Sequence, residues 1–539
     1  MPLKPRFSAR LALFLAAGVT FGLFAYGRNL SASEQVPGPS SSSVPAPATQ
    51  GVVQVPGAVL RITADDAVRM ALENNLGLQA ERLGPEISTL AIAQARAAYA
   101  PTLISSTTTR SSTQPPSSFL TGTADIITDE SLRTSGGLAQ SVPWGGGRYQ
   151  FSFDASRVAT NAFSSYNPRL GSVLSGSITQ PLLRNFRIDN LRQQLQTSQN
   201  NQIVADLRLR EQITITSQAV RNAYFDLLGA IEGSKVARQS LDLALESLRN
   251  NQARVNVGTM APIDIIEAEA EVASNEEAVI NAEARVETVE DRLRALVLNP
   301  DQADFWGLRI EPSEAPTVVP LTLDIDAAVS NALANRTDLA RARKQIDNLD
   351  ITLKYARNQT LPGLDLVADY NVIGLAGTQY QFGQGFPPTI EGQRQRNFTA
   401  ALRDVFGQEF RTWSVQLQFS YPIGTSVAQA AAAATRLERQ QGTASLRDLE
   451  LQIATSVRDA ARQVNTNLKR VEATGKARDR AERRLEAEQK RDTVGLSTTF
   501  QLFQAQRDLA RQRQQEVNAI IDYNRSLVSF EAIQVAPAR

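Results

Sequence analysis

Apolar positions along this chain fall into two periods. Val220, Tyr224, Leu227 and Ile231 recur at spacings of four, three and four, and Leu241, Leu245, Leu248 and Val255 at four, three and seven. These are coiled-coil-like seams on one very long helix, expected over roughly 189–257. No proline falls between Pro181 and Pro262. The turn VGTMAPID at 257–264 then leads to a second helical run ending near 299, so 181–300 reads as a long helical hairpin. The plan recurs after Pro422, with the next proline at Pro537 and the turn VGLSTTFQ at 494–501. The run 424–494 is about 70 residues, roughly 105 Å if wholly helical.

Elsewhere the period is two. Tyr149, Phe151, Phe153 and Ala155 alternate with Gln150, Ser152, Asp154 and Ser156. Trp413, Val415, Leu417, Phe419 and Tyr421 alternate with Ser414, Gln416, Gln418 and Ser420, and Leu364, Leu366, Ala368, Tyr370 and Val372 alternate less strictly with their neighbours. One apolar and one polar face suits a sheet over a core, and equally a lipid-facing barrel strand with a wet interior. Trp413 and Tyr421 are candidate interfacial aromatics. The stretch 374–411, rich in Gly, Gln and Pro, is expected to be one exposed loop. Trp144-Gly145-Gly146-Gly147 is a candidate turn, and the strand-like segment 134–157 points to an extra hairpin of unplaced position.

The two halves echo one another. Thr63-Ala64-Asp65-Asp66 has the form of a helix start with acids in the first turn, leading a helix expected to run to about Tyr99, before Pro101. Ala67, Val68, Ala71, Leu72, Asn74, Leu78, Pro101 and Leu103 match Ala328, Val329, Ala332, Leu333, Asn335, Leu339, Pro362 and Leu364, each 261 positions on. Helical patterning would repeat alanines and leucines; it would not also repeat the asparagine and the proline, so an internal duplication is expected. The layout that follows is an export signal over 1–33, a disordered Pro/Ser/Ala/Gly leader over 34–60, a first structural repeat over 61–300, a linker over 301–322, a second repeat over 323–534 and a tail over 535–539.

Composition narrows the functions. Lys4, Arg6 and Arg10 precede the apolar run 11–26, which suits a cleaved signal or an uncleaved anchor. The net charge of +1 gives no reason to expect nucleic acid. The chain has no cysteine and no histidine, which removes thiol nucleophiles, serine–histidine triads and the usual zinc sites. No catalytic, cofactor-binding or metal site is expected. Glu267, Glu269 and Glu271 lie at spacing two and are read as a solvated helix face.

With these features assembled, the sequence resembles the outer membrane efflux protein family, the TolC-like channels, over about 60–533. The resemblance rests on the doubled plan, on the strand-then-proline corners TQPLL at 179–183 and SYPIG at 420–424, and on RVNVGTMAPIDIIEAEAEV at 254–272 and RDTVGLSTTFQLFQAQRDL at 491–509, which are similar to the family's helical tips. It implies an α+β membrane protein. Each chain would give four strands to a trimeric β-barrel in the outer membrane, continuous with a long periplasmic α-helical barrel. An extra hairpin in the first half would challenge that count. The implied function is a passive exit duct of a tripartite efflux or type I secretion system. An inner-membrane transporter supplies the energy, and a periplasmic adaptor docks on the tips.

The same resemblance nominates residues. Val257, Gly258, Thr259, Val494, Gly495 and Leu496 fall on the adaptor-facing tips; a glycine past a helix end can also be only a helix stop. Pro181 and Pro422 mark the strand-to-helix corners. Asp264 falls on a gate-linking aspartate, although a carboxylate at a helix start has a plain dipole role too. The acidic-ring positions fall on Gln501 and Gln504, and the gate arginine on Ser497, so the expected gate is weaker and less cation-selective. The competing reading is an exported coiled-coil scaffold or tethering protein. It would explain the heptads but not the strands doubled at matching corners.

Overall fold

The computed structural model describes residues 59–537, apart from 117–124, 302–303, 316, 385–388 and 425. The expected export signal, and the expected leader as far as residue 58, lie outside the described residues.

Chain order explains the plan. Strand β1 (Val59–Ile62) runs into α1 (Ala64–Asn74), whose start is closed by a capping box: Thr63 Oγ1 accepts from the Asp66 amide while the Asp66 carboxylate takes the Thr63 amide and hydroxyl. Those bonds hold the Asp66 carboxyl below its ordinary pKa, with Arg69 adding to the effect. The helix expected to run unbroken to Tyr99 is in fact two. Asn75 leaves helical geometry and caps α2 (Leu76–Ala97) through Oδ1, which accepts from the Leu78 amide at 3.1 Å. The break has a counterpart at Arg336, between α5 (Ile325–Asn335) and α6 (Thr337–Gln359).

After α2 come β2 (Thr102–Gln114), β3 (Ile127–Ser141), β4 (Arg148–Thr160) and β5 (Tyr166–Pro181). The hairpin of α3 (Asn190–Asn256) and α4 (Ile263–Val297) follows, then β6 (Arg309–Pro312), which pairs in parallel with β1 inside the stretch expected as a linker. Beyond α5 and α6 are β7 (Gly363–Phe382), β8 (Ile390–Arg396), α7 (Phe398–Phe406), β9 (Phe410–Ser420) and the hairpin of α8 (Val427–Thr493) and α9 (Thr499–Ile533). α3 and α8 are each 67 residues long, α4 and α9 each 35.

The large sheet corrects two expectations. Among the described residues it has seven strands, not four, in the order β2-β3-β4-β5-β7, with β8 and β9 sharing the far edge of β7. β9 takes Gly363 to Ile373 and β8 takes Gly377 to Phe382. The extra hairpin is β3–β4, and its turn uses Gly145 and Gly146 at φ 67° and 69°. A Cβ on Gly146 would sit 2.5 Å from the Asn185 carbonyl oxygen, so this turn packs against the corner that follows β5. The stretch 374–411 is not one loop. It finishes β7 and holds β8 and α7, and α7 lies across the sheet: Ser172 Oγ donates to the Ala401 carbonyl at 3.0 Å, and buried Asp404 pairs with Arg396 at 2.9 Å.

Two of the three buried clusters among the described residues seat the short helices α1 and α5. In one, Ala67 and Ala71 of α1 meet Val220, Tyr224 and Leu227 of α3 and Leu293 and Val297 of α4. In the other, Ala328 and Ala332 of α5 meet Val457, Ala461 and Val464 of α8 and Tyr523 and Phe530 of α9. Small alanines let each short helix lie close against a long pair, where side-chain size sets helix separation. No helix among the described residues is long and apolar enough to cross a membrane.

Candidate functional site

The site has two ends, the sheet and the helical tips. In the sheet, hydrogen-bonded register carries one row of side chains across six strands: Leu103, Leu138, Phe151, Gly176, Tyr370 and Trp413. Directly paired residues share a face, so this row and the next along β9 and β7, Val415 with Ala368 and Leu417 with Leu366, form one apolar surface. The opposite face carries Ser152, Ser175, Asn371 and Thr412. Trp413 is 70% exposed and Phe419 66%, large apolar groups that stay uncovered by the chain itself. Tyr421 just beyond β9 is also exposed. Pro181 is the last residue of β5 and is buried, whereas Pro422 follows β9 and is exposed; the two corners are not alike in packing.

At the other end, α3 and α8 terminate in the same way. The Thr259 amide reaches back to the Arg254 carbonyl and the Gly258 amide to Val255; the Leu496 amide reaches Arg491 and the Gly495 amide Asp492. These are Schellman turns, and Gly258 and Gly495 take the left-handed geometry they need, at φ 76° and 75°. Open space surrounds both glycines, and Val257, Val494 and Leu496 are all well exposed.

Of the nominated gate residues, Asp264 lies in the first turn of α4 and accepts from Thr499 Oγ1 at 3.2 Å, which ties the two hairpins together. Ser497 donates to Glu488 and bonds Gln501, so it stays within its own hairpin. Gln501 is exposed and Gln504 half-buried. Two charged links were not visible in the spacing. Arg254 donates to the Asp492 carboxylate at 2.8 Å, joining the ends of α3 and α8. Arg507 on α9 pairs with Glu271 on α4 at 2.9 Å. Glu271 is buried, which corrects its reading as part of a solvated face; Glu267 and Glu269 are exposed. Nearby, Lys490 donates to Glu486 and holds its carboxyl below the ordinary range. The signal missed was complementarity between hairpins, since each partner looks unremarkable on its own helix.

The family model described as "Outer membrane efflux protein" matches residues 148–297 and 328–533. The chain belongs to that family. The match in the first half opens at Arg148, the first residue of β4. Among solved structures, this outer membrane efflux protein is similar to the CmeC outer membrane channel of Campylobacter jejuni, at 13% identity and a TM-score of 0.63, covering 88% of this chain and 85% of that one. It is similar also to VceC of Vibrio cholerae (14%, TM-score 0.60, 88% and 97%) and to the open state of the MtrE channel of Neisseria gonorrhoeae (15%, TM-score 0.59, 88% and 89%). At that identity the likeness is one of fold, the mixed helix and sheet fold of TolC-like outer membrane channels. No curated protein sequence matches the chain.

Proposed function

We propose that three copies of this efflux-family chain form a passive exit duct, with the sheets closing a barrel in the outer membrane and the hairpins forming a periplasmic tunnel. The observation that carries this is the sheet. One face is apolar and exposed wherever α7 does not cover it, and the outer strands β2 and β9 are exposed along nearly all their length. In lipid, unpaired strand edges have no water to satisfy them, so the sheet needs another chain on each side. β2 and β9 run in opposite directions, as every neighbouring pair in this sheet does, so copies joined head to tail continue the antiparallel order that a closed ring needs.

The matched lengths of α3 with α8 and α4 with α9 support a duplicated unit. The Schellman tips serve as the docking points of a periplasmic adaptor, through which an inner-membrane transporter feeds cargo; energy comes from that transporter and from nothing in this chain. The deciding experiment is the molar mass of the detergent-extracted protein, corrected for bound detergent. Three chains are expected. A single chain soluble without detergent would replace the duct with an exported coiled-coil scaffold.

A further inference from the structure

We propose that each chain contributes six strand positions to the barrel wall, eighteen in a ring of three, so that the duct is about as wide in the membrane as along its helices. This rests on the closed-ring reading above and goes beyond it. A share of four strands per chain would give twelve.

The β3–β4 hairpin is part of the wall because of where it is bonded. β3 pairs with β2 from Thr102–Ala139 to Gln114–Ile127, and β4 pairs with β5 from Arg148–Thr179 to Val158–Arg169. An appended flap would be held on one side only. This hairpin stands between β2 and β5 and cannot swing into the lumen or out of the sheet without breaking both ladders. Its turn is seated as well. Gln180 donates to the Gly145 carbonyl at 2.8 Å, and Gly146 sits too close to Asn185 for any side chain.

Its faces agree with this placement. Leu138 and Phe151 continue the apolar row that runs from Leu103 to Trp413, and Ser152 continues the polar row on the other side. A luminal plug would have no reason to keep its apolar side in line with lipid-facing neighbours. β8 adds no seventh position, because it extends the edge that β9 occupies lower on β7.

The consequence is girth. Strands lie about 4.8 Å apart and tilt by about 40° in barrels, which gives a circumference of about 110 Å for eighteen and about 75 Å for twelve. Twelve long helices packed about 9 Å apart also need about 110 Å. The membrane section therefore does not constrict the duct, and discrimination among cargoes falls to the helical tips.

The test is single-particle imaging of the detergent-extracted assembly. The expected cross-section shows eighteen strands in three chains, with β2 of one copy beside β9 of the next. Three chains with twelve wall strands and the segment Ile127–Thr160 outside the wall would overturn the proposal. A ring of some other number of chains, each still giving six strands, would support the six-strand share while overturning the trimer. A second measurement is polymer exclusion in planar bilayers, with neutral polymers added on the barrel side. Replacing 127–160 by a short turn lets β2 pair with β5 and should lower the largest admitted polymer radius to about two-thirds, following the linear growth of barrel diameter with strand number. An unchanged radius in a variant that still forms channels would refute it.

Discussion

Arg507 is half-exposed while its partner Glu271 is nearly buried, so the two ends of this link are unequal. Removing the arginine leaves a desolvated carboxylate; removing the carboxylate leaves a guanidinium that water can reach. Asn275 also donates to Glu271 at 3.2 Å and softens the loss. Arg507→Ala is therefore expected to destabilise the tip region by about 1–2 kcal/mol, and Glu271→Gln by less. Denaturant unfolding in detergent measures both, and equal effects would show that burial of Glu271 does not govern the pair. The tip glycines allow a sharper separation. Val at Gly258 or Gly495 costs about 1–2 kcal/mol in left-handed geometry, whereas Asn is tolerated there. If the glycines only stop helices, Gly258→Asn binds the adaptor as the parent does. If the bare backbone is the docking surface, Gly258→Asn and Gly258→Val both weaken binding, and a binding titration with the purified adaptor reads the difference.

Adjacent residues of β9 point to opposite faces, which makes the strand its own control. Leu417 lies on the apolar face and is 61% exposed; Gln416, its neighbour, lies on the polar face opposite Val367. An arginine facing lipid near mid-membrane costs about 2–4 kcal/mol, and one facing a wet lumen costs little. Leu417→Arg should abolish or strongly reduce assembly into the membrane while Gln416→Arg assembles normally, as read by the heat-resistant oligomer in membrane fractions. The reverse pattern would turn the sheet inside out. This alternation was legible in the sequence because period two is a local property, and so were the long helices, whose seam at Val220, Tyr224 and Leu227 is buried as its spacing implies. Further along α3 the buried positions are Ala244, Ser247 and Asn251, with Leu241, Leu245 and Leu248 only half-buried beside them. There the small residues face the closest neighbour, which a hydrophobicity pattern cannot reveal. β2 and β3 were harder to read because Ser, Thr and Gly dominate both their faces, and α7 because its placement depends on Gly374. A Cβ at that position would fall 1.9 Å from the Ala401 carbonyl oxygen. Between-hairpin links such as Arg254–Asp492 are properties of the assembled fold and leave no periodic trace.

At the scale of the assembly, charge counts by multiplication. A residue near the tunnel end that is one side chain in the chain becomes a ring in a three-fold duct, and a ring of one sign in a narrow opening focuses potential on passing ions. Gln501 and Gln504 are neutral where the family resemblance implies acids, and the chain as a whole carries only +1. Of the links that hold the tips, Arg254–Asp492 and Arg507–Glu271 balance their charge within one chain, and only Asp264, bonded to the neutral Thr499 hydroxyl, keeps an unbalanced carboxylate. The parent channel should therefore respond weakly to multivalent cations added on the helical side. Gln501→Asp with Gln504→Asp adds two carboxylates per chain, six in a ring of three, and should create a cation block that fades as ionic strength shortens the screening length. Single-channel recording with a trivalent cation at two salt concentrations decides it. A parent channel blocked as strongly as the double variant would mean that other acids already line the opening, and a double variant with unchanged current would mean that these two positions do not face the path of the ions.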